Sequence, residues 1–398
     1  MTRFSVPPEE TSEVQEMPTP VETNQSQSFS RTGSRTPKVT TPTPELVKVN
    51  GKEYIVLSVD GSRTEWRASI NSNPEDILHF PSNYQPIELV EARYVRPDLN
   101  WRNSLDEFCF EFGSGACAVG NMAMQYSAKQ GKTTGFVAKL MASKIYFDLD
   151  EKYPIALVIS LPHPERKLYE TYKKEILQEI EKDGGSVGKF NKQKHLLKID
   201  PEMIFFNPEG VNSLVWTDAQ RLLNKDKNCP NFKKGGTIVI DMGHEHLSFA
   251  YCLNMRFQSV LSVSYVDLSM CNYCNALAER AGISNPESPE LIKAILKDKG
   301  HRKCNYRGDI YDLDEGVDAL FPEYAQNIKD RFKQWIPDAQ IDYALVNGGG
   351  GKYFFEALSE ILIKAEIQPW LTDPYRYANV LGGFYYGKSV LEEMNEFE

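Results

Sequence analysis

One pattern recurs in this chain and narrows what it can fold into: a β-branched apolar run that ends in an acid beside a glycine and then turns back. Tyr54-Ile55-Val56-Leu57-Ser58-Val59-Asp60-Gly61 leads through Ser62, Arg63 and Thr64 into an alternating stretch ending at Ala68. Thr237-Ile238-Val239-Ile240-Asp241-Met242-Gly243 leads into His244-Glu245-His246-Leu247-Ser248-Phe249-Ala250 in the same way. Short apolar runs bounded by glycine are core strands, and Asp-Gly corners favour tight turns between antiparallel partners. A lone Asp-Gly is no more than a hairpin corner. Two such units about half a chain apart predict two related halves facing each other.

The rest of the sequence fits that division. At 398 residues the chain exceeds the ~100–200 typical of one domain, so two lobes are expected. Residues 1–49 hold fifteen Ser or Thr and seven Pro, a composition that cannot bury enough surface to offset chain entropy; they read as a disordered tail. Its acids come mostly first (Glu9, Glu10, Glu13, Glu16, Glu22), so it is a solvated spacer or a docking segment. We expect lobe I over 50–232, lobe II over 233–372, and a helix over 373–398 returning to lobe I. Expected strands cover 54–70 (a hairpin), 89–94, 154–161, 194–200, 247–254, 257–265 and 341–346, while 101–112 fits strand or loop. Expected helices cover 114–126, 136–146, 165–183, 211–223, 270–281, 289–299, 317–335 and 352–365. Strand–turn–strand units mixed with strand–helix alternation make an α/β protein with mixed sheets.

Ligands of such sheets sit at the carboxyl ends of strands. Here those ends carry Asp60, Asp241, Glu202 (after Pro201) and the run Gly348-Gly349-Gly350-Gly351. Turns rich in backbone N–H groups make anion nests, and carboxylates beside a nest suit Mg²⁺, which is held by one or two acids plus substrate phosphates. Hydrolysis also needs a group that orients water in line with the γ-phosphate, and Glu202 is the candidate. Two simpler phosphate motifs fail. Gly131-Lys132-Thr133 lacks the glycine five residues earlier, where Tyr126 stands, and Gly113-Ser114-Gly115 has no strand leading into it.

The order of these motifs resembles the actin-like ATPase superfamily of actin, Hsp70-type chaperones and sugar kinases, and within it the ParM (StbA) type of bacterial actin that segregates plasmids. Asp60-Gly61-Ser62-Arg63-Thr64 looks like the first phosphate loop, Pro201-Glu202 like the family's Pro-Glu, and Asp241-Met242-Gly243 like the second phosphate loop. Val346-Asn347-Gly348-Gly349-Gly350 resembles the adenosine motif, and Ala378-Asn379 with Gly382 the closing helix. The resemblance covers roughly residues 52–390. It implies an actin-like (ribonuclease H-like) two-lobed fold with a nucleotide cleft between duplicated domains. It further implies a Mg²⁺-dependent NTPase, using ATP or GTP, that polymerises and works through a small DNA-binding or membrane-bound adaptor. In the implied roles Asp60 and Asp241 hold Mg²⁺ through water and Glu202 orients the attacking water. Gly61, Ser62, Arg63, Thr64, Gly243 and His244 surround the phosphates, and Gly348, Gly349 and Gly350 border the adenosine. His244-Glu245-His246 and Trp66-Arg67 depart from the family's small hydroxyl residues and its usual lysine. A non-polymerising sugar or metabolite kinase, or a scaffold with little turnover, shares the same loops.

Charge and cysteine content set outer limits. A net charge of −10 argues against direct grip on nucleic acid or an anionic membrane. There is no run of about 18 apolar residues for a membrane span, nor an apolar signal-peptide core, and seven cysteines fit a reducing cytoplasm. Cys271, Cys274, His301 and Cys304 have ligand types and spacings compatible with zinc, provided two helices converge; buried free thiols are the plainer reading. His244 and His246, alternating with Glu245, would share one face of a strand.

Overall fold

The architecture below comes from a computed structural model, which describes residues 42–62, 65–81, 84–88, 100–103, 108–112, 135–182, 187–190, 193–285 and 289–396. Residues 1–41, the strand expected over 89–94, the helix expected over 114–126, Arg63, Thr64 and both rejected phosphate motifs lie outside these residues.

Lobe I is built on a six-stranded sheet: β1 (Leu46–Val49), β2 (Lys52–Gly61), β3 (Glu65–Ser69), β4 (Leu78–Pro81), β5 (Ile155–Leu161) and β6 (Ile199–Pro208). The order is β4-β3-β2-β5-β6, with β1 alongside the start of β2. Lobe II is built on β7 (Gly236–Met242), β8 (Leu247–Leu253), β9 (Arg256–Phe257), β10 (Val263–Tyr265), β11 (Tyr343–Asn347) and β12 (Gln368–Leu371). In both sheets the central strand pairs with an antiparallel hairpin partner on one side and a parallel strand on the other, with a further parallel strand outside. The duplication expected from the two acid-tipped corners is therefore present as topology. β5 and β7 are buried along their whole length, which explains their unbroken apolar runs: helices cover both faces of such strands.

The helices are α1 (Phe136–Tyr146), α2 (Tyr169–Lys182), α3 (Val211–Leu223), α4 (Met270–Ala281), α5 (Pro289–Ile295), α6 (Asp314–Trp335), α7 (Gly348–Tyr353), α8 (Phe355–Lys364) and α9 (Ala378–Glu396). Ile55, Leu57, Val59, Trp66 and Phe147 anchor the lobe I core; Ile238, Phe249, Tyr273, Phe332 and Phe354 anchor that of lobe II. α9 closes back onto lobe I. It lies against α3 so closely that a Cβ on Gly382 would overlap the carbonyl oxygen of Asn212. Two residues along, Phe384 packs into the cluster of Val56, Ala156 and Val158.

Several boundaries differ from the sequence expectation. The tail ends earlier than residue 49, because Leu46–Val49 pairs with β2 and buries Val47 and Val49. Asn100–Asn103 and Phe108–Phe112 are separate strands of a five-stranded antiparallel sheet completed by Tyr84–Glu88, Val187–Phe190 and Gln193–Leu196. The strand expected to end at Asp200 is a short edge strand ending at Leu196, and a new parallel strand runs from Ile199 to Pro208. The glycine run starts a helix directly rather than preceding one.

Candidate functional site: an acid-lined crevice between the lobes

Asp60 and Asp241 occupy equivalent positions. Each is the second-last residue of its lobe's central strand, Asp60 between Arg67 and Ser160, Asp241 between Ser248 and Asn347. Both are buried. Burial raises the pKa of Asp241, and the nearby Asp60 carboxylate raises it further, while bonds from Asn379 and Asn347 and the Arg67 charge pull the other way. The two carboxylates act on each other, so the two corners lie near one another.

Side chains from both lobes furnish this crevice. Arg67 donates from Nη1 to Asp60 Oδ2 at 3.0 Å and from Nε to Glu65 Oε2 at 2.7 Å. Glu65 also receives Arg376, at 2.6 Å and 3.2 Å. Burial opposes ionisation of Glu65, yet the His79 bond and the two guanidinium groups together hold its pKa at about 2. In the turn after Gly61, Ser62 Oγ accepts from the Glu65 N–H at 3.0 Å, so the short hydroxyl side chain shapes the corner. Asn379, at the start of α9, donates to Asp241 Oδ2 at 3.0 Å and accepts from Gly210 N at 2.9 Å. His163 Nε2 lies 3.1 Å from Ser259 Oγ and its ring 5.3 Å from Phe257, joining the lobes.

The glycine run divides by what surrounds it. A Cβ on Gly348, whose φ is +82°, would sit 2.6 Å from Met242 O and 2.8 Å from Asp241 Oδ1. On Gly350 it would meet the Met270 and Met242 side chains at 2.6 Å and 2.7 Å. Those two glycines are required by the protein's own packing. A Cβ on Gly349 meets nothing within 4 Å, so backbone there is open to a ligand.

The sequence reading misplaced two features. Glu202 is not in the crevice. Ile204 is level with Leu157 and, across it, Leu57, whereas Asn207 is level with Ser160 and Asp60. Glu202 is exposed and lies near the starting edge of the sheet, roughly 13 Å short of Asp60 along the strands. The strand runs through the first Pro-Glu and ends at a second one, Pro208-Glu209. Glu209 N donates to Leu161 O at 2.8 Å, and a Cβ on the next residue, Gly210, would lie 3.2 Å from Asp241 Cβ. Glu209 is therefore the acid beside the corner. The histidines do not alternate on a strand either. β8 begins at Leu247, and Gly243 to His246 form a loop closed by Gly243 N to His246 O at 2.9 Å. The carbonyls of Gly243 and His244 cap α4 by accepting from Met270 N and Cys271 N.

Glu209 is a residue of this corner that the sequence reading missed, and Arg67, Asn347 and Asn379 are ones that it named without assigning a role. Arg67 is seven residues after Asp60, the spacing of cross-strand partners in this hairpin. Glu209 repeats the Pro-Glu pair and is followed by the Gly that the tight approach needs. Asn379 stands in the closing-helix motif, which does not reveal its contacts. Cys274 and Cys304 are buried in the lobe II core while His301 is exposed. Among the described residues no group of three or more His, Cys, Asp or Glu is placed to hold a metal ion, so the zinc pairing is not formed. Asp60 and Asp241 suit a hydrated Mg²⁺ instead, an ion that keeps several waters and takes few protein ligands.

No family model matches the sequence, and no curated protein matches it significantly. Solved structures do match. A non-polymerisable quadruple mutant of pCBH ParM is 17% identical with a TM-score of 0.62, covering 84% of this chain and 99% of that one. A 15-stranded ParM filament from Clostridium botulinum gives 18%, 0.62, 84% and 99%. An archaeal actin homolog in complex with ADP gives 14%, 0.61, 84% and 99%. Together with the duplicated sheets, these similarities show that the chain has the two-lobed fold of the actin-like proteins.

Proposed function

We propose that the crevice binds a nucleoside triphosphate with Mg²⁺, ATP or GTP, and that this chain hydrolyses it while assembling into filaments of its own kind. The observation that carries the reading is the meeting of Asp60 and Asp241 at equivalent corners of two duplicated sheets. Similarity to a ParM filament and to an ADP-bound actin homolog supports the same assignment.

In this reading Asp60 and Asp241 hold Mg²⁺ through its water shell, and the metal supplies charge neutralisation for the phosphates. The two corners, with Gly61, Ser62, Arg63 and Thr64 on one and Gly243 and His244 on the other, receive the phosphate oxygens. Arg67 exchanges its bond to Asp60 for the phosphates, giving a planar cation that matches them. Gly349 lets the backbone approach the adenosine, while Gly348 and Gly350 fix the turn that carries it. Glu209, in place of Glu202, orients the attacking water and accepts its proton, the single act of chemistry that an otherwise electrostatic site needs.

The work of such a filament passes through a small adaptor, DNA-binding or membrane-bound, because the net charge of −10 disfavours direct contact with either surface. No described helix is long and apolar enough to cross a membrane. The test is sedimentation of the full chain with ATP, GTP and their non-hydrolysable analogues, with phosphate release followed in parallel. Pelleting that depends on nucleotide, with release of phosphate, is expected. A protein that stays in the supernatant and transfers phosphate to a small molecule would instead be a kinase, and nucleotide-dependent pelleting without release would be a scaffold.

A further inference from the structure

We propose that Asn379 is a positioning residue: it ties the Glu209–Gly210 turn of lobe I to the Asp241 corner of lobe II and so sets the geometry in which bound nucleotide turns over. The inference rests on the nucleotide-cleft reading above.

The orientation of the Asn379 amide is dictated by its partners. Gly210 N–H can only donate, at 2.9 Å, so the atom facing it is the amide oxygen. The carboxylate of Asp241 accepts, at 3.0 Å, so the atom facing it is the amide nitrogen. A flipped amide would set donor against donor and oxygen against carboxylate. The side chain is 8% exposed, so water does not compete for either bond. Among uncharged side chains an amide meets both needs at this spacing, whereas an aspartate would add a carboxylate to a corner that already holds Asp60 and Asp241.

The turn that Asn379 holds has no slack. Gly210 has φ +82°, and a Cβ there would lie 3.1 Å from Val239 Cγ1 and 3.2 Å from Asp241 Cβ. Glu209 N is fixed on Leu161 O at 2.8 Å, at the end of β5. Asn379 itself stands on a helix seated against α3 through Gly382. The acid that would orient water and the acid that would hold the hydrated metal are in this way set by one amide on a rigid support. Preorganisation of this kind acts on the transition state more than on ground-state binding.

The test compares the full-length wild type with Asn379→Ala and Asn379→Asp. Phosphate release is measured over a range of ATP concentrations, and binding of a fluorescent ADP is measured with Mg²⁺ and with EDTA. Asn379→Asp keeps the acceptor for Gly210 N–H and the same volume but sets a carboxylate against Asp241; a side chain that merely props the turn would lower stability in these variants without lowering kcat in the folded protein. The expected result is a fall in kcat of about tenfold or more in both variants with KM within about threefold, and loss in Asn379→Asp of most of the affinity that Mg²⁺ adds to ADP. Unchanged kcat and unchanged Mg²⁺ dependence, or a change in KM alone, overturns the proposal. A wild type that neither hydrolyses ATP nor binds ADP more tightly with Mg²⁺ overturns the cleft reading and this inference with it. Should melting curves show Asn379→Ala unfolded, Asn379→Asp decides alone.

Discussion

Arg67 and Asp60, register partners across the first hairpin, are joined by a 3.0 Å ion pair, and the same guanidinium holds Glu65 at 2.6 Å. Arg376 reaches Glu65 from the segment before α9, so an alternating chain of charges, Asp60, Arg67, Glu65 and Arg376, runs out of the crevice. Arg67 is presented by a carboxylate behind it as well as the one in front, the arrangement of a cation held ready for a more highly charged anion.

Removing that cation tests the arrangement. Arg67→Ala is expected to weaken nucleotide binding about tenfold or more, which is ~1.4 kcal/mol, and Arg67→Lys to recover only part of it because an ammonium cannot fork between two partners. Titration with a fluorescent nucleotide reads both. Equal affinity in all three proteins would remove Arg67 from the phosphate site.

The two Pro-Glu pairs make opposite predictions. Glu209→Gln is expected to assemble normally with nucleotide yet release phosphate about a hundredfold more slowly, the usual weight of a general base. Glu202→Ala, altering an exposed side chain near the far edge of the sheet, is expected to match wild type in both sedimentation and phosphate release. A slow Glu202→Ala with a normal Glu209→Gln would reverse the assignment.

Glu65 gives a pH signature. Its pKa in the folded protein, about 2, lies below the ordinary 4.5, so its contribution is full above the higher value and drains away as pH falls toward the lower. The contribution at neutral pH is at most on the order of 3 kcal/mol. Glu65→Gln is therefore expected to be less stable than wild type at neutral pH, with the gap closing between about pH 4.5 and 2. Urea midpoints measured across that range check it; a gap independent of pH would mean the ion pairs contribute nothing to folding.

The α9–α3 contact is expected to tolerate no side chain at residue 382. Gly382→Ala adds one methyl where the carbonyl of Asn212 already stands, and the overpacking should cost about 3 kcal/mol or more. The denaturant midpoint reads this directly.

How much of this was legible beforehand depended on periodicity. The fully buried run 155–161 declares itself because only Ser160 interrupts its apolar residues, and 237–242 because every residue up to Asp241 is apolar or β-branched; the repeated corner showed that there are two sheets. Helices such as Val211–Leu223 and Met270–Ala281 show in their 3.6-residue pattern and match the expected ranges. The misplacement of Glu202 has a specific cause. Ile199–Pro208 pairs only through a register shift between Ile199 and Ile204, so its first half is exposed and polar and reads as the end of one strand rather than the beginning of another. Asn379 was legible only as part of the closing-helix motif, not by its contacts. Its role depends on a contact 138 residues away with Asp241 and another 169 residues away with Gly210, and neither leaves a trace in local pattern.

Asn379 also joins the closing helix to a corner of lobe II. α9 is seated on lobe I along its length, through Gly382 against α3 and Phe384 against β2 and β5, while its first turn grips an acid belonging to lobe II. Any parting of the lobes must either break that grip or swing about it. With that grip kept, residues beside Asp241 move least when the lobes part.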